Sequence, residues 1–330
     1  MKKINWGIIG CGDVTEIKSG PAFNKVPNSN LIAVMRRDAG KAKDYALRHH
    51  VLKWYSDAYE LIADPDINAI YIATPPSSHE EYSIAALHAG KPVYLEKPMT
   101  LNVSSAKKIA YTAKTKNIKL SVAHYRRAQP MFIKVKQLLD SNEIGEARFV
   151  ELKFLQPSLS IKELEIPKVK WRIDPAISGG GLFHDLAPHQ LDLMFYFFGG
   201  YTLATGIPRN QLGLYAADDI VSGQILFANG VIFQGLWCFT VPDEEAKDLC
   251  TIIGSSGKIS FSIFGDPEII VTKNGLSEII RFEKLPHVQQ PMIEKVVEYF
   301  LDQRPNPCSA EDGVYVMGMM EDLTAVCRQL

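Results

Sequence analysis

The first third of the chain alternates between two kinds of segment, and that alternation limits the fold more than any other feature. "INWGIIG", "LIAVM", "AIYIAT", "PVYLE" and "KLSVAH" are short apolar runs rich in β-branched residues. Between them lie "KAKDYALRHH", "SSHEEYSIAALHAG" and "VSSAKKIAYTAKTKN", polar stretches with apolar residues at helical spacing. Strands that are apolar throughout need cover on both faces, so strand and helix in alternation predict a parallel sheet with helices on either side. Gly90 and Pro92 mark a helix end and a strand start.

After about residue 145 the pattern changes. "ARFVELKFLQ" alternates as a half-buried strand does, and "DIVSGQILFANGVIFQGLWCF" reads as two strands joined at Asn229-Gly230, a strong hairpin signal. "LCTIIGSSGKISFSIF" and "EIIVTKNGLSEIIRF" repeat that logic at Ser256-Gly257 and Asn274-Gly275. This half is expected to be an antiparallel meander with a helix around 185–198 and further helices near the C-terminus. With 330 residues the chain is long for one core. The expectation is an α/β protein of two domains, 1–124 and 125–330.

Composition excludes several classes of partner. A formal net charge of -1 gives no electrostatic reason for binding nucleic acid or an acidic membrane. The five cysteines, Cys11, Cys238, Cys250, Cys308 and Cys327, are an odd count without a CxxC pair. That argues against a disulfide framework or zinc site and suits a reducing compartment. The opening "MKKINWGIIGCG" has the lysines of a secretory signal, and "IIGC" looks like a lipoprotein cleavage box. Gly7, Gly10 and Asp13 interrupt it before an apolar region of sufficient length forms. "LDLMFYFFGGY" carries Asp192 and is too short to span a bilayer. A soluble, cytoplasmic protein with neither membrane nor nucleic-acid partner is expected.

Three clusters carry chemistry. The first strand runs into "GCGDVT", where Gly10 and Gly12 fit the first two glycines of the dinucleotide fingerprint, with Thr15 at the third position. Gly10, Gly12, Asp13 and Val14 are therefore candidate cofactor contacts. Some 20 residues on, an NAD site would offer an acid to the ribose; here "AVMRRD" places Arg36 there, with Arg37 and Asp38 after it. Guanidinium groups suit a 2′-phosphate, which favours NADP over NAD as cofactor. The alternative is that both arginines are a solvated strand end.

"ATPPSSH" makes the chain leave the sheet at its carboxyl edge, where open α/β sheets bind ligands; Thr74, Pro75 and His79 are cofactor candidates. "VYLEKPM" ends a strand on the same edge with Glu96 and Lys97 ahead of a proline that restricts the direction of the lysine. In "GGGLFHDLAPHQLD" a helix would put Asp185, His189 and Asp192 on one face. A carboxylate one turn from a histidine fixes its tautomer for acid–base work. A buried histidine with satisfied hydrogen bonds is the alternative. No neighbouring Cys or His completes a metal shell, so no metal is expected.

Together, "GIIGCG", "EKP" and the glycine triplet leading to "DLAPHQLD" resemble the Gfo/Idh/MocA family of oxidoreductases, named for glucose–fructose oxidoreductase and inositol dehydrogenase. The resemblance runs over essentially the whole chain. It implies an N-terminal Rossmann domain and a C-terminal α/β domain on a large open antiparallel sheet, serving substrate binding and oligomerisation. It implies that Lys97, Asp185 and His189 line the active site as catalytic residues, with Glu96 and Lys97 near the cofactor. Tyr125, Arg126, Trp171 and Arg172, together with His189, would face the substrate. The expected reaction is NAD(P)-dependent transfer of a hydride to or from a secondary alcohol or carbonyl of a sugar, cyclitol or related polyol. Two rivals are an NAD-dependent glycosidase on the same fold and a non-catalytic dinucleotide-sensing module. An open sheet with one uncovered face, supplied by "QILF" and "VIFQGLW", further suggests a homodimer or homotetramer.

Overall fold

The computed structural model describes residues 2–325. The apolar runs become β1 (Ile4–Ile9), β2 (Ser29–Met35), β4 (Ala69–Ile72), β5 (Val93–Leu95) and β6 (Leu120–Val122), with β3 (Lys53–Tyr55) at one edge. Their order is β3-β2-β1-β4-β5-β6, all parallel, the arrangement of a Rossmann sheet. Every residue of β4, β5 and β6 is buried, which is why these strands read as unbroken apolar runs. β3 carries no such signal because it is three residues long and half exposed at the sheet edge. The helices between strands start where short polar side chains cap them. Asp38, Asp57 and Asn102 each accept a backbone N–H of the first turn.

The second sheet contains β7 (Ala147–Pro157), β8 (Tyr201–Arg209), β9 (Ile220–Phe227), β10 (Ile232–Val241), β11 (Lys247–Gly254), β12 (Gly257–Phe261), β13 (Glu268–Lys273) and β14 (Leu276–Arg281). The order is β14-β13-β12-β11-β7-β10-β9-β8. The three expected hairpins form as β9–β10, β11–β12 and β13–β14. At the last of these turns both Asn274 and Gly275 have positive φ, as a tight hairpin of this kind requires. One pair departs from the meander: β7 and β10 run parallel at the centre of the sheet. The helix Gly181–Phe198 and the β8–β9 excursion come between them in sequence, so no local signal announces their pairing.

The long helix covers one face of this sheet. Phe183 meets Trp237 edge-on at 5.1 Å, and the indole N–H of Trp237 donates to Gln190 Oε1 at 2.5 Å. The opposite face is open. Phe149, Ile232, Leu226 and Leu203 sit side by side across β7, β10, β9 and β8, and all four are exposed.

By compactness the chain divides into two units. The first holds the chain up to Ala128 together with Leu285–Val314; the second holds Gln129–Lys284 and the chain from Tyr315 onward. The contiguous division at 124/125 expected from sequence thus leaves out a return: the helix Gln290–Phe300 belongs to the first unit, where Phe300 packs on Trp6 at 5.5 Å. The apolar face of that helix finds its cover there, and aromatic burial outweighs sequence proximity. Cys11, Cys238, Cys250 and Cys308 are buried thiols; Cys327 lies outside the described residues. Among the described residues no helix is long and apolar enough to cross a membrane. Nor, among them, do three or more His, Cys, Asp or Glu side chains gather in a way that could hold a metal ion.

Candidate active site

In the first unit all the parallel strands end at one edge, and the sheet order sets their exits in a row. Arg36 leaves β2, the glycine turn leaves β1, Thr74 and Pro75 follow β4, Glu96 and Lys97 follow β5, and Tyr125 and Arg126 follow β6. At about 4.8 Å per strand the row spans about 19 Å. The order reverses between β1 and β4, the point where such sheets bind ligands.

The glycine turn is built by close approach. Gly10 has φ 96°, and a Cβ there would lie 2.7 Å from Thr74 Cγ2 and 2.8 Å from its backbone nitrogen. At Gly12 a Cβ would meet nothing nearer than the Gly10 oxygen at 3.9 Å, so the space above the turn is open to a ligand. The amides of Asp13 and Val14 follow in the first helical turn, where no carbonyl of the helix itself precedes them. These features fit a dinucleotide pyrophosphate. Thr15, in place of the third glycine, is buried and closes the turn on itself: its hydroxyl accepts the Gly12 N–H at 3.0 Å and donates to the Gly12 carbonyl at 2.9 Å. Arg36 reaches back over this turn and donates from Nη1 to the Cys11 carbonyl at 3.3 Å, while Arg37 is exposed. Asp38 is occupied as a helix cap, accepting the Lys41 N–H at 3.1 Å, and those contacts hold its carboxyl below the usual range.

Two residues predicted to touch the cofactor make hydrogen bonds to the protein around Lys97. Glu96 is 5% exposed; its Oε1 accepts the Tyr71 hydroxyl at 2.5 Å and the Gln289 amide at 2.7 Å, and its Oε2 accepts the Lys97 backbone N–H at 3.1 Å. His79 is fully buried. Its Nε2 lies 2.8 Å from the Thr74 carbonyl, and its Nδ1 lies 3.1 Å from that of Pro98 and 3.3 Å from that of Met99. The imidazole therefore sits between the β4 exit and the segment just after Lys97, and in its neutral form its single N–H donates to one of the two. Burial pushes its pKa down to about 4, against the pull of those carbonyls toward a second proton. The Lys97–Pro98 peptide bond is cis. Tyr125 is buried and the Arg126 guanidinium lies over its ring at 5.6 Å.

The second unit carries the other cluster. The helix begins at Gly181, four residues before the expected start, and contains Pro188. Gly179, Gly180 and Gly181 all have positive φ, and a Cβ on Gly180 would lie 2.1 Å from the His184 ring. The triplet is thus a backbone requirement, letting His184 Nδ1 meet the Gly180 carbonyl at 3.1 Å. Asp185 accepts from Arg172 Nε at 2.9 Å, and that guanidinium stacks on Trp171 at 4.4 Å. His189 is 5% exposed, with its ring at 5.6 Å and nearly perpendicular to that of Phe264. Four predicted residues are thus resolved as one linked pair, Arg172 and Asp185, an aromatic platform and a buried imidazole. Sequence reasoning missed Tyr71, Gln289 and Phe264. Tyr71 is a polar atom inside an apolar run, which is a faint signal; the other two have none.

Known proteins fit this geometry. Residues 4–124 match the family described as GFO_IDH_MocA, oxidoreductase family, NAD-binding Rossmann fold, and residues 132–260 match the GFO/IDH/MocA C-terminal domain. Oxidoreductase P35 of Formosa agariphila is 49% identical over 97% of this chain and 98% of its own length. The 1,5-anhydro-D-fructose reductase of Ensifer adhaerens is 27% identical over 73% of this chain and 71% of its own. The structure of a levoglucosan dehydrogenase in complex with NADH and levoglucosan superposes with a TM-score of 0.86 at 22% identity, covering 97% of this chain and 96% of that one. The glycine turn, the parallel sheet and these matches together establish the chain as a member of the Gfo/Idh/MocA family, an NAD(P)-dependent oxidoreductase.

Proposed function

We propose that this enzyme interconverts a secondary alcohol and a carbonyl on a sugar, cyclitol or related polyol, with NADP(H) as its preferred cofactor. The observation that carries the reading is the fixation of Lys97: it follows a buried strand with its amide held by a buried carboxylate, two strands across from the one that leads into the glycine turn. The sugar-directed names of the 1,5-anhydro-D-fructose reductase and the levoglucosan dehydrogenase support the substrate class.

The nicotinamide, when bound, supplies or accepts the hydride. Lys97 donates a hydrogen bond to the reacting oxygen and lowers the cost of its developing charge. His189 carries the proton and is oriented by Asp185, itself held by Arg172. Trp171, Tyr125 and Arg126 bind the substrate through apolar ring faces and guanidinium donors. Gly10, Gly12, Asp13 and Val14 receive the pyrophosphate. Thr74 and Pro75 flank the cofactor, and His79 and Glu96 position Lys97. Arg36 and Arg37 receive the 2′-phosphate; the use of Asp38 as a helix cap supports this over a ribose-binding acid.

The enzyme works in the cytoplasm as a homodimer or homotetramer joined through the open sheet face, where a row of exposed apolar residues crosses four strands. The test is a panel of sugars, cyclitols and polyols assayed for change in cofactor absorbance with NADP(H) and NAD(H). Turnover of at least one polyol is expected. Hydrolysis of a glycoside without net absorbance change would replace this reading.

A further inference from the structure

We infer that Gln289 is a positioning residue for Lys97, acting through the buried carboxylate of Glu96. The inference rests on the proposed role of Lys97 at the reacting oxygen. Gln289 is 193 residues from Glu96 in sequence and is fully buried in the same unit. A carboxylate only accepts, so the Gln289 nitrogen faces it, at 2.7 Å, and the amide oxygen faces the Tyr94 hydroxyl at 3.4 Å. The backbone N–H of Gln289 donates to the Lys18 carbonyl at 3.2 Å, which fixes where the side chain starts. Tyr71 delivers the second bond to the same Glu96 oxygen, and its ring stacks on that of Tyr94 at 5.2 Å.

A carboxylate withdrawn from water keeps its place only while its donors do. Glu96 uses its other oxygen to hold the Lys97 N–H. The Lys97 amide is thus held through Glu96, whose Oε1 is fixed by the donors of Gln289 and Tyr71. With the Gln289 donor gone, Tyr71 alone holds that oxygen; the carboxylate shifts toward it, and the Lys97 amide shifts with it or is released. The ammonium would then miss the position the reaction needs, where a displacement of about 1 Å costs about 100-fold.

A structural role, with Gln289 merely fastening the returning segment, predicts lower stability and no specific change at Lys97. The experiment uses Gln289→Met, which keeps length and removes the donor, and Gln289→Asn, which withdraws the amide by one methylene and serves if the first variant does not fold. Residue-resolved hydrogen exchange on the full chain without cofactor reads the Lys97 amide directly; NADPH affinity is measured by fluorescence and turnover on the polyol found by the panel. Exchange at Lys97 should rise about tenfold, and turnover should fall about tenfold with NADPH affinity kept. In a Glu96→Gln background the same substitution should add less than about twofold, since the two act as one unit. Unchanged exchange at Lys97, or additive effects in the double variant, overturns the inference. If no polyol is turned over by the wild type, the functional reading fails, while the exchange arm still decides the link from Gln289 to Lys97.

Discussion

Arg172 and Asp185 are joined by a 2.9 Å bond from Nε to Oδ2, linking the segment ahead of the glycine triplet to the first turns of the helix that carries His189. Both side chains are largely buried, and the guanidinium lies over the Trp171 ring at 4.4 Å. The pair sets the orientation of the carboxylate by a donor from outside the helix, and the i,i+4 spacing of Asp185 and His189 is only part of the arrangement.

Arg172→Met should therefore lower turnover by about 10- to 100-fold, since a hydrogen bond to a charged group contributes about 1.5–3 kcal/mol. Arg172→Lys should restore little of it, because an ammonium offers neither the Nε donor nor the planar stack. Steady-state kinetics on the polyol from the panel, with melting temperature as a control on folding, checks this.

Lys97→Met keeps the aliphatic stem and removes the charge. Cofactor affinity by fluorescence should hold, while turnover should fall about 100- to 1000-fold, the usual cost of losing such a donor. Survival of turnover within a few-fold would make the lysine structural and leave His189 to act alone.

The placement of Arg36 over the glycine turn predicts tighter binding of NADPH than NADH. Arg36→Asp should reverse or abolish the preference, weakening NADPH by about 10-fold or more through loss of a charge-assisted bond. Equal wild-type affinities in titration calorimetry would remove the idea.

Acid should destabilise the fold between about pH 6.5 and 4. Burial lowers the imidazoles of His79 and His184 from 6.5 to about 4. In that window the unfolded chain binds protons that the folded one refuses, so stability falls as pH falls, and the loss is complete below the folded value. Each histidine contributes on the order of 3 kcal/mol to that slope. Urea midpoints at pH 7.5 and 5 should differ, and His184→Gln should narrow the gap.

The row Phe149, Ile232, Leu226 and Leu203 predicts that association uses the open sheet face. Light scattering at micromolar concentration should show a dimer or tetramer, and Ile232→Glu with Leu226→Glu should give a folded monomer. A monomeric wild type would count against the proposed assembly.

The sequence by itself determined what depends on neighbours along the chain. The parallel sheet was legible in its fully buried strands, the hairpins in Asn229-Gly230 and Asn274-Gly275, and the nucleotide turn in Gly10 and Gly12, because propensity and backbone sterics act over a few residues. Lys97, Asp185 and His189 were legible as candidates for the same reason, through a proline and a helical spacing. Only the tertiary structure decided that Glu96 turns inward, that Thr15 closes the glycine turn, and that Arg172 holds Asp185. It alone decided that β7 and β10 pair in parallel and that the chain returns through Gln289 to the first unit. These arrangements are chosen by the burial of apolar faces and the need of each buried polar group for a partner. Those demands are met by whatever packing brings close, at any separation in sequence.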